Sequence, residues 1–234
     1  TSCTGVPAIL TATGSSGTYE WYDAASGGNL LISGSSYTPT PTTTTTYFVQ
    51  TTVNGCSSAR TPVTVTVNTI PVAPSASNAS TCSGNTATLS ASGSTGTYEW
   101  YDAASGGNLL ISGATYAPAL SVTTTYFVQT TVNGCTSART PVTVTVDPIP
   151  TAPSASGVSV CHNSPANLTA SGAGILEWYD AASGGTLLVT GNSYNTPNIS
   201  VNTTFYVQSR VGQCSSTRTP VTVSIISIAN PEFR

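Results

Sequence analysis

A close internal repeat constrains this chain more than any other feature. Tyr19-Glu20-Trp21-Tyr22-Asp23-Ala24-Ala25-Ser26-Gly27-Gly28 recurs from Tyr98 to Gly107 and returns, with a changed start, from Leu176 to Gly185. Cys3, Cys82 and Cys161 recur at a spacing of 79 residues, as do Cys56, Cys135 and Cys214, and 53 residues separate the two cysteines of each repeat. Such a period is too long for a solenoid unit and suits a small independent domain. The chain therefore divides into repeats at 1–70, 71–149 and 150–228, with a tail at 229–234. Repeats two and three carry a Pro-rich segment and an expected first strand ahead of their first cysteine. Repeat one has only Thr1 and Ser2 there, so it is expected to go without its first strand.

Within a repeat the pattern is that of short strands. In repeat two, Leu89 and Ala91 alternate on one face of Ala87 to Ser92, and Tyr98 and Trp100 share a face of the next segment. Tyr126 to Val132 alternates, and Val142 to Val146 reads Val-Thr-Val-Thr-Val. Valine and threonine suit a pleated, half-buried surface. Asn133-Gly134 is a two-residue hairpin signal. No stretch has helical periodicity. Short alternating strands with one tryptophan between two cysteines predict an all-β chain of three tandem immunoglobulin-like antiparallel sandwiches. Pro71, Pro74, Pro150 and Pro153 stiffen the joints, and sandwiches placed end to end would form an elongated rod on the order of 100 Å.

Charge narrows the function. Only 6% of residues are charged, the net charge is −3, and the basic residues are Arg60, Arg139, Arg210, Arg218 and Arg234. A nucleic-acid partner needs a basic stripe, and an anionic membrane surface needs a basic cluster; neither is present. No apolar run approaches the roughly 20 residues that span a bilayer, so direct membrane insertion is not expected. An even set of regularly spaced cysteines, with no Cys-x-x-Cys and a lone His162, points to disulfides in an oxidising compartment rather than to a metal.

The combination Cys-x-Gly, Leu-x-Ala-x-Gly, Glu-Trp-Tyr-Asp-Ala-Ala-Ser-Gly-Gly, Thr-Thr-Tyr-x-Val and Gly-Cys-x-Ser-x-Arg-Thr-Pro-Val resembles the Ig-like repeats of Bacteroidetes secreted proteins of the Cytophaga type. The resemblance runs through nearly the whole chain. It implies an extracellular spacer or adhesive module of a cell-surface protein, of the kind often exported by the type IX pathway, and supplies no catalytic residue. Repeat three departs from the pattern, with Phe205 in place of Tyr47 and Tyr126, and Gly212-Gln213 in place of Asn-Gly.

Two disulfide pairings are open. The default closes a loop in each repeat, Cys3–Cys56, Cys82–Cys135 and Cys161–Cys214, for about 4 kcal/mol each in the chain-entropy model. In an immunoglobulin topology, however, the two cysteines of a repeat lie at opposite ends of the sandwich. A strand of about seven residues would hold them roughly 23 Å apart, beyond the ~7 Å reach of a disulfide. A head-to-tail arrangement instead permits Cys3–Cys135 and Cys82–Cys214, leaving Cys56 and Cys161 for neighbours.

The other candidates are few. Trp21, Trp100 and Trp178 are expected in the core. Tyr22 with Phe48, Tyr101 with Phe127 and Tyr179 with Tyr206 alternate out of phase with the core and form a candidate contact surface, for lateral self-packing or for sugar stacking. Glu20 and Asp23, with their equivalents Glu99, Asp102, Glu177 and Asp180, read as a solvated Glu and a turn-capping Asp, not as a glycosidase pair, because residues three apart on a strand point to opposite faces. No nucleophile elbow or calcium loop is present. The apolar tail with Ile225, Ile226 and Ile228 is a candidate strand donor to the incomplete repeat one of another molecule, by edge addition. The expectation is a secreted, non-catalytic structural or adhesive module, a stalk or filament segment that needs no cofactor. Its partners would be further copies of itself or a surface polysaccharide. The alternative is a carbohydrate-binding accessory module of a secreted polysaccharide-degrading enzyme.

Overall fold

The computed structural model describes residues 1–226. The chain is all-β: each repeat is an immunoglobulin-like sandwich. Repeat three shows the arrangement. One sheet pairs Ser154–Ala155, Asn167–Ser171 and Ser193–Asn195 in that order. The other runs Val158–Cys161, Thr219–Ile226, Thr203–Val211, Ile175–Tyr179 and Leu187–Thr190. All pairings are antiparallel except Val158–Cys161, which lies parallel to Thr219–Ile226 with Val158 opposite Val223. Repeat two has the same strand order. Packing divides the chain into two compact units. One holds Thr1–Ser77, Leu89–Tyr116 and Thr125–Val142; the other holds Asn78–Thr88, Ala117–Thr124 and Thr143–Arg234.

The core of each sandwich follows from strand alternation, which sends every second side chain inward. Trp21, Trp100 and Trp178 are fully buried. A buried indole N–H needs an acceptor. It finds one in the carbonyls of Gly34, Gly113 and Gly191, at 3.1, 3.1 and 3.0 Å. A second aromatic residue lies beside each tryptophan and a third meets it edge-on. The series are Trp21, Tyr37, Tyr47; Trp100, Tyr116, Tyr126; and Trp178, Tyr194, Phe205. Phe205 keeps this edge contact, so the departure in repeat three preserves the packing. Its hairpin does change. Asn54-Gly55 and Asn133-Gly134 both have positive φ at the two central residues, whereas in repeat three only Gly212 does. That is the difference between a type I′ turn and a type II′ turn, which requires glycine only at its first central position.

Among the described residues, the smaller sheet of repeat one pairs Leu10–Thr11 with Ser36–Tyr37, and those of repeats two and three add Ser75–Ala76 and Ser154–Ala155. One expectation about the tail is corrected. Ile225 and Ile226 are not free to be donated, because they end the last strand of repeat three, opposite Val160 and Cys161. Ile228 lies outside the described residues.

Candidate functional site

Two features recur and could serve function: the joints between repeats and an arginine-capped tyrosine face. The joints are built by disulfides. Cys3 bonds Cys135 and Cys82 bonds Cys214, with Cα–Cα distances of 5.7 and 5.6 Å and a sequence separation of 132 in both. The loop-closing pairing within each repeat is thereby corrected, and Cys56 and Cys161 are exposed free thiols rather than disulfide partners. Topology gives the reason. Cys82 ends a strand paired with the far end of Thr140–Asp147, where it faces Asp147. Cys135 follows the hairpin turn ahead of the near end of that strand. Eight residues of strand put about 23 Å between the two.

Each joint has polar support. Asn68 Nδ2 donates to the Asn133 carbonyl at 3.1 Å, and the sulfurs of Cys3 and Cys135 sit 3.9 and 3.8 Å from the carbonyls of Gly134 and Asn68. Cys214 Sγ lies 3.9 Å from the Asp147 carbonyl in the second joint. Cys135 and Cys214 are each only 1% exposed.

The aromatic residues expected outside the core do face one another. Tyr22 is opposite Phe48, Tyr101 opposite Phe127, and Tyr179 opposite Tyr206. One face of each tyrosine ring is already occupied, however. The guanidinium carbons of Arg60, Arg139 and Arg218 lie 3.4, 3.5 and 3.4 Å from the centroids of Tyr22, Tyr101 and Tyr179. Each guanidinium is itself pinned. Arg60 Nε donates to Gln50 Oε1 at 3.1 Å, and Arg60 Nη1 donates to the carbonyls of Ala24 and Gly27 at 2.5 and 2.7 Å. Arg139 and Arg218 make the equivalent bonds. Sequence reading missed these three arginines as structural residues. Their signal was their recurrence, at the same 79-residue spacing as the cysteines, in a chain with only five basic residues.

The carboxylates belong to this network. Glu20 Oε2 accepts from Gln50 Nε2 at 2.9 Å and from Thr52 Oγ1 at 2.8 Å. Those bonds hold its carboxyl below the usual value, so it is not simply a solvated Glu. Glu177 is buried. Burial pushes its carboxyl up, but hydrogen bonds from Arg210 and Gln208 outweigh that and hold it low. Asp23 and Asp102 accept the backbone N–H of Asn29 and Asn108 at 2.7 Å, which lowers both. Asp180 makes the same bond to Thr186. These aspartates close turns. Gly28, Gly107 and Gly185 complete each turn at positive φ, where a Cβ would lie 2.3 Å from the Asp Oδ1. The bonds of every Glu and Asp described here go to neighbouring protein groups. Among the described residues no group of three or more His, Cys, Asp or Glu could hold a metal, and no helix is long and apolar enough to cross a membrane.

Tandem sandwiches stapled at their joints, with pinned rather than reactive polar groups, define a chain of immunoglobulin-like modules. More particularly, the chain belongs to the family described as the Ig-like domain, CHU_C associated, whose model matches residues 1–68, 71–148 and 150–226. No curated protein matches the chain. Among solved structures, a three-domain segment of titin, I67–I69 in an E-to-A variant, is 12% identical, with coverage of 97% of this chain and 95% of that one and a TM-score of 0.42. The insect immune protein hemolin is also 12% identical, covering 97% and 73%, with a TM-score of 0.33. The first two Ig domains of DIP-gamma are 14% identical, covering 68% and 99%, with a TM-score of 0.29.

Proposed function

We propose that this chain is a non-catalytic structural or adhesive module working outside the cell, a stalk or filament segment of a bacterial surface protein. The observation that carries the reading is the placement of the disulfides. Each joins one sandwich to the next, and none braces a single sandwich. A cross-link across a joint does little for the stability of one domain. It does a great deal for a chain under tension, because load passes through a covalent bond instead of through strand hydrogen bonds. Disulfides of this kind persist in oxidising, extracellular surroundings. The carbohydrate-binding alternative loses its main support, since arginines cover the tyrosine faces that would have stacked on sugar.

Single-molecule pulling on the full chain, held at both ends, tests the reading. The shortest covalent route runs from Thr1 to Cys3, across to Cys135, back to Cys82, across to Cys214 and on to Arg234. That is roughly 75 residues of backbone, or about 260 Å fully extended, against about 800 Å for the open chain. The expected result is an extension capped near the shorter length, rising about threefold under reductant. Full extension without reductant would overturn the reading. So would binding on a glycan array that Tyr101→Ala abolishes.

A further inference from the structure

We propose that a second copy of this chain docks head to tail on the first, with Cys161 of one copy forming a disulfide to Cys56 of the next. The inference deepens the structural reading above and names its partner. It rests on two independent features.

The first is the rule that the two existing joints obey. The first cysteine of a repeat bonds the second cysteine of the repeat that follows. Applied along the chain, the rule uses four cysteines and leaves two: Cys161, the first cysteine of repeat three, and Cys56, the second cysteine of repeat one. Both are exposed. They are the two complementary halves of a third joint. The receiving half is already shaped. The Asn54-Gly55 turn ahead of Cys56 has φ values of 48° and 79°, and the Asn133-Gly134 turn that receives Cys3 has 49° and 80°. The donating half also matches. In each existing joint the residue paired opposite the first cysteine, Asn68 or Asp147, turns its backbone carbonyl toward the incoming sulfur. Ile226 occupies that position opposite Cys161; its carbonyl is unaffected by the change of side chain, and the residue is 49% exposed.

The second feature is an open groove in repeat one. In repeats two and three the linker that enters the sandwich fills this place with the same sequence, Ala-Pro-Ser-Ala-Ser, at Ala73–Ser77 and Ala152–Ser156. Pro74 and Pro153 are buried there, and their carbonyls accept from Thr140 Oγ1 and Thr219 Oγ1 at 2.5 and 2.6 Å. In repeat one the groove is about 410 Å³ and is lined by Ala12, Tyr19, Val49, Thr51, Thr61 and Val63. Val49 and Val63 are half-buried, although their equivalents Val128, Val142, Val207 and Val221 are fully buried. A joint that seats Cys161 on Cys56 of the next copy also delivers the chain leaving repeat three to this groove. That segment carries Ile228 in register with Ile70 and Ile149, followed by Pro231. Ordered this way, each copy covers the apolar strip that its neighbour leaves open.

The covalent step is an oxidation, and a low-molecular-weight disulfide such as oxidised glutathione serves as oxidant. The Cys56 thiolate attacks it, forming a mixed disulfide and releasing one glutathione thiol. The Cys161 thiolate of the other copy then attacks the Cys56 sulfur, forming the Cys161–Cys56 bond and releasing the second. Two protons and two electrons pass from the protein thiols to two molecules of glutathione.

The test uses the full chain incubated with oxidised glutathione and resolved without reductant. The expected result is a ladder in steps of 23.6 kDa, with Cys161 joined to Cys56 in the linked peptides. Cys56→Ser alone and Cys161→Ser alone stay monomeric, and their mixture gives dimers and nothing longer. Amide exchange at Thr11–Gly14 slows at least tenfold in the multimer as the groove is covered. The proposal is overturned if the wild-type chain keeps both thiols unpaired. It is equally overturned if either single variant dimerises through its remaining cysteine, or if exchange at the groove does not change. A monomeric chain that still shows the shortened extension under force would sink this joint and leave the structural reading intact.

Discussion

Arg218 should hold together one side of repeat three, and removing it gives a measurable loss. Its guanidinium stacks on Tyr179 at 3.4 Å, donates through Nε to Gln208 Oε1 at 3.2 Å, and donates through Nη1 to the carbonyls of Ala181 and Gly184. It thus ties the strand at Thr219 to the turn after Tyr179, which no backbone ladder holds. Hydrogen bonds to a charged donor contribute about 1.5–3 kcal/mol each, and a half-exposed cation–π contact about 0.5–1 kcal/mol. Water replaces part of this in a half-exposed site, and the contributions do not add, so Arg218→Ala should cost about 3 kcal/mol locally. A three-domain chain does not unfold in one step, and the readout must be local. Amide exchange resolved by peptide mass serves, because Ile175 to Leu188 is unique in the chain, whereas Thr18–Gly34 and Thr97–Gly113 are identical and cannot be told apart. Exchange there should accelerate on the order of 100-fold, at about 1.4 kcal/mol per tenfold, with repeats one and two unchanged. Arg218→Lys should recover little of the loss, since an ammonium keeps the charge but cannot donate through a planar fork. Acceleration of less than about threefold, or full rescue by lysine, would refute the reasoning.

Other outcomes follow from the same geometry. Asp23, Asp102, Glu20 and Glu177 have carboxyls held below their ordinary values. Their contribution is complete above the unfolded carboxylate range, about pH 4, and is lost as pH falls through the folded values. Urea midpoints should therefore be flat from pH 7 to about 5 and decline below that; a decline beginning near neutrality would contradict the assignment. Burial pushes the Tyr126 phenol up to about 12, with Tyr116 adding to the shift. Absorbance titration should show a late phenolate that Tyr126→Phe removes, and stability should fall with rising pH between about 10 and 12. In the Asp102 turn, Gly106 and Gly107 both have positive φ, but only at Gly107 would a Cβ strike the Asp102 carboxylate. Gly107→Ala should destabilise repeat two by at least about 1 kcal/mol more than Gly106→Ala in local exchange; equal effects would leave backbone strain as the whole cost.

The sequence by itself determined the repeat, its strands and its core. Alternation puts every second residue of Tyr126 to Val132 inward whatever the surroundings, and a tryptophan between two cysteines marks the sandwich centre. Its period also aligned Cys3 with Cys82 and Cys161, and Cys56 with Cys135 and Cys214. What the sequence left open were the relations that span a strand or a joint. The cysteine partners depend on which end of a sandwich each sulfur occupies, and chain distance carries no information about that. Arg60, Arg139 and Arg218 meet Tyr22, Tyr101 and Tyr179 only because strand register brings segments far apart in sequence onto one sheet face. The same register turned a supposedly solvated Glu20 into the acceptor of Gln50 and Thr52. Local periodicity fixes which face a side chain takes, but only the assembled sheets decide what it touches there.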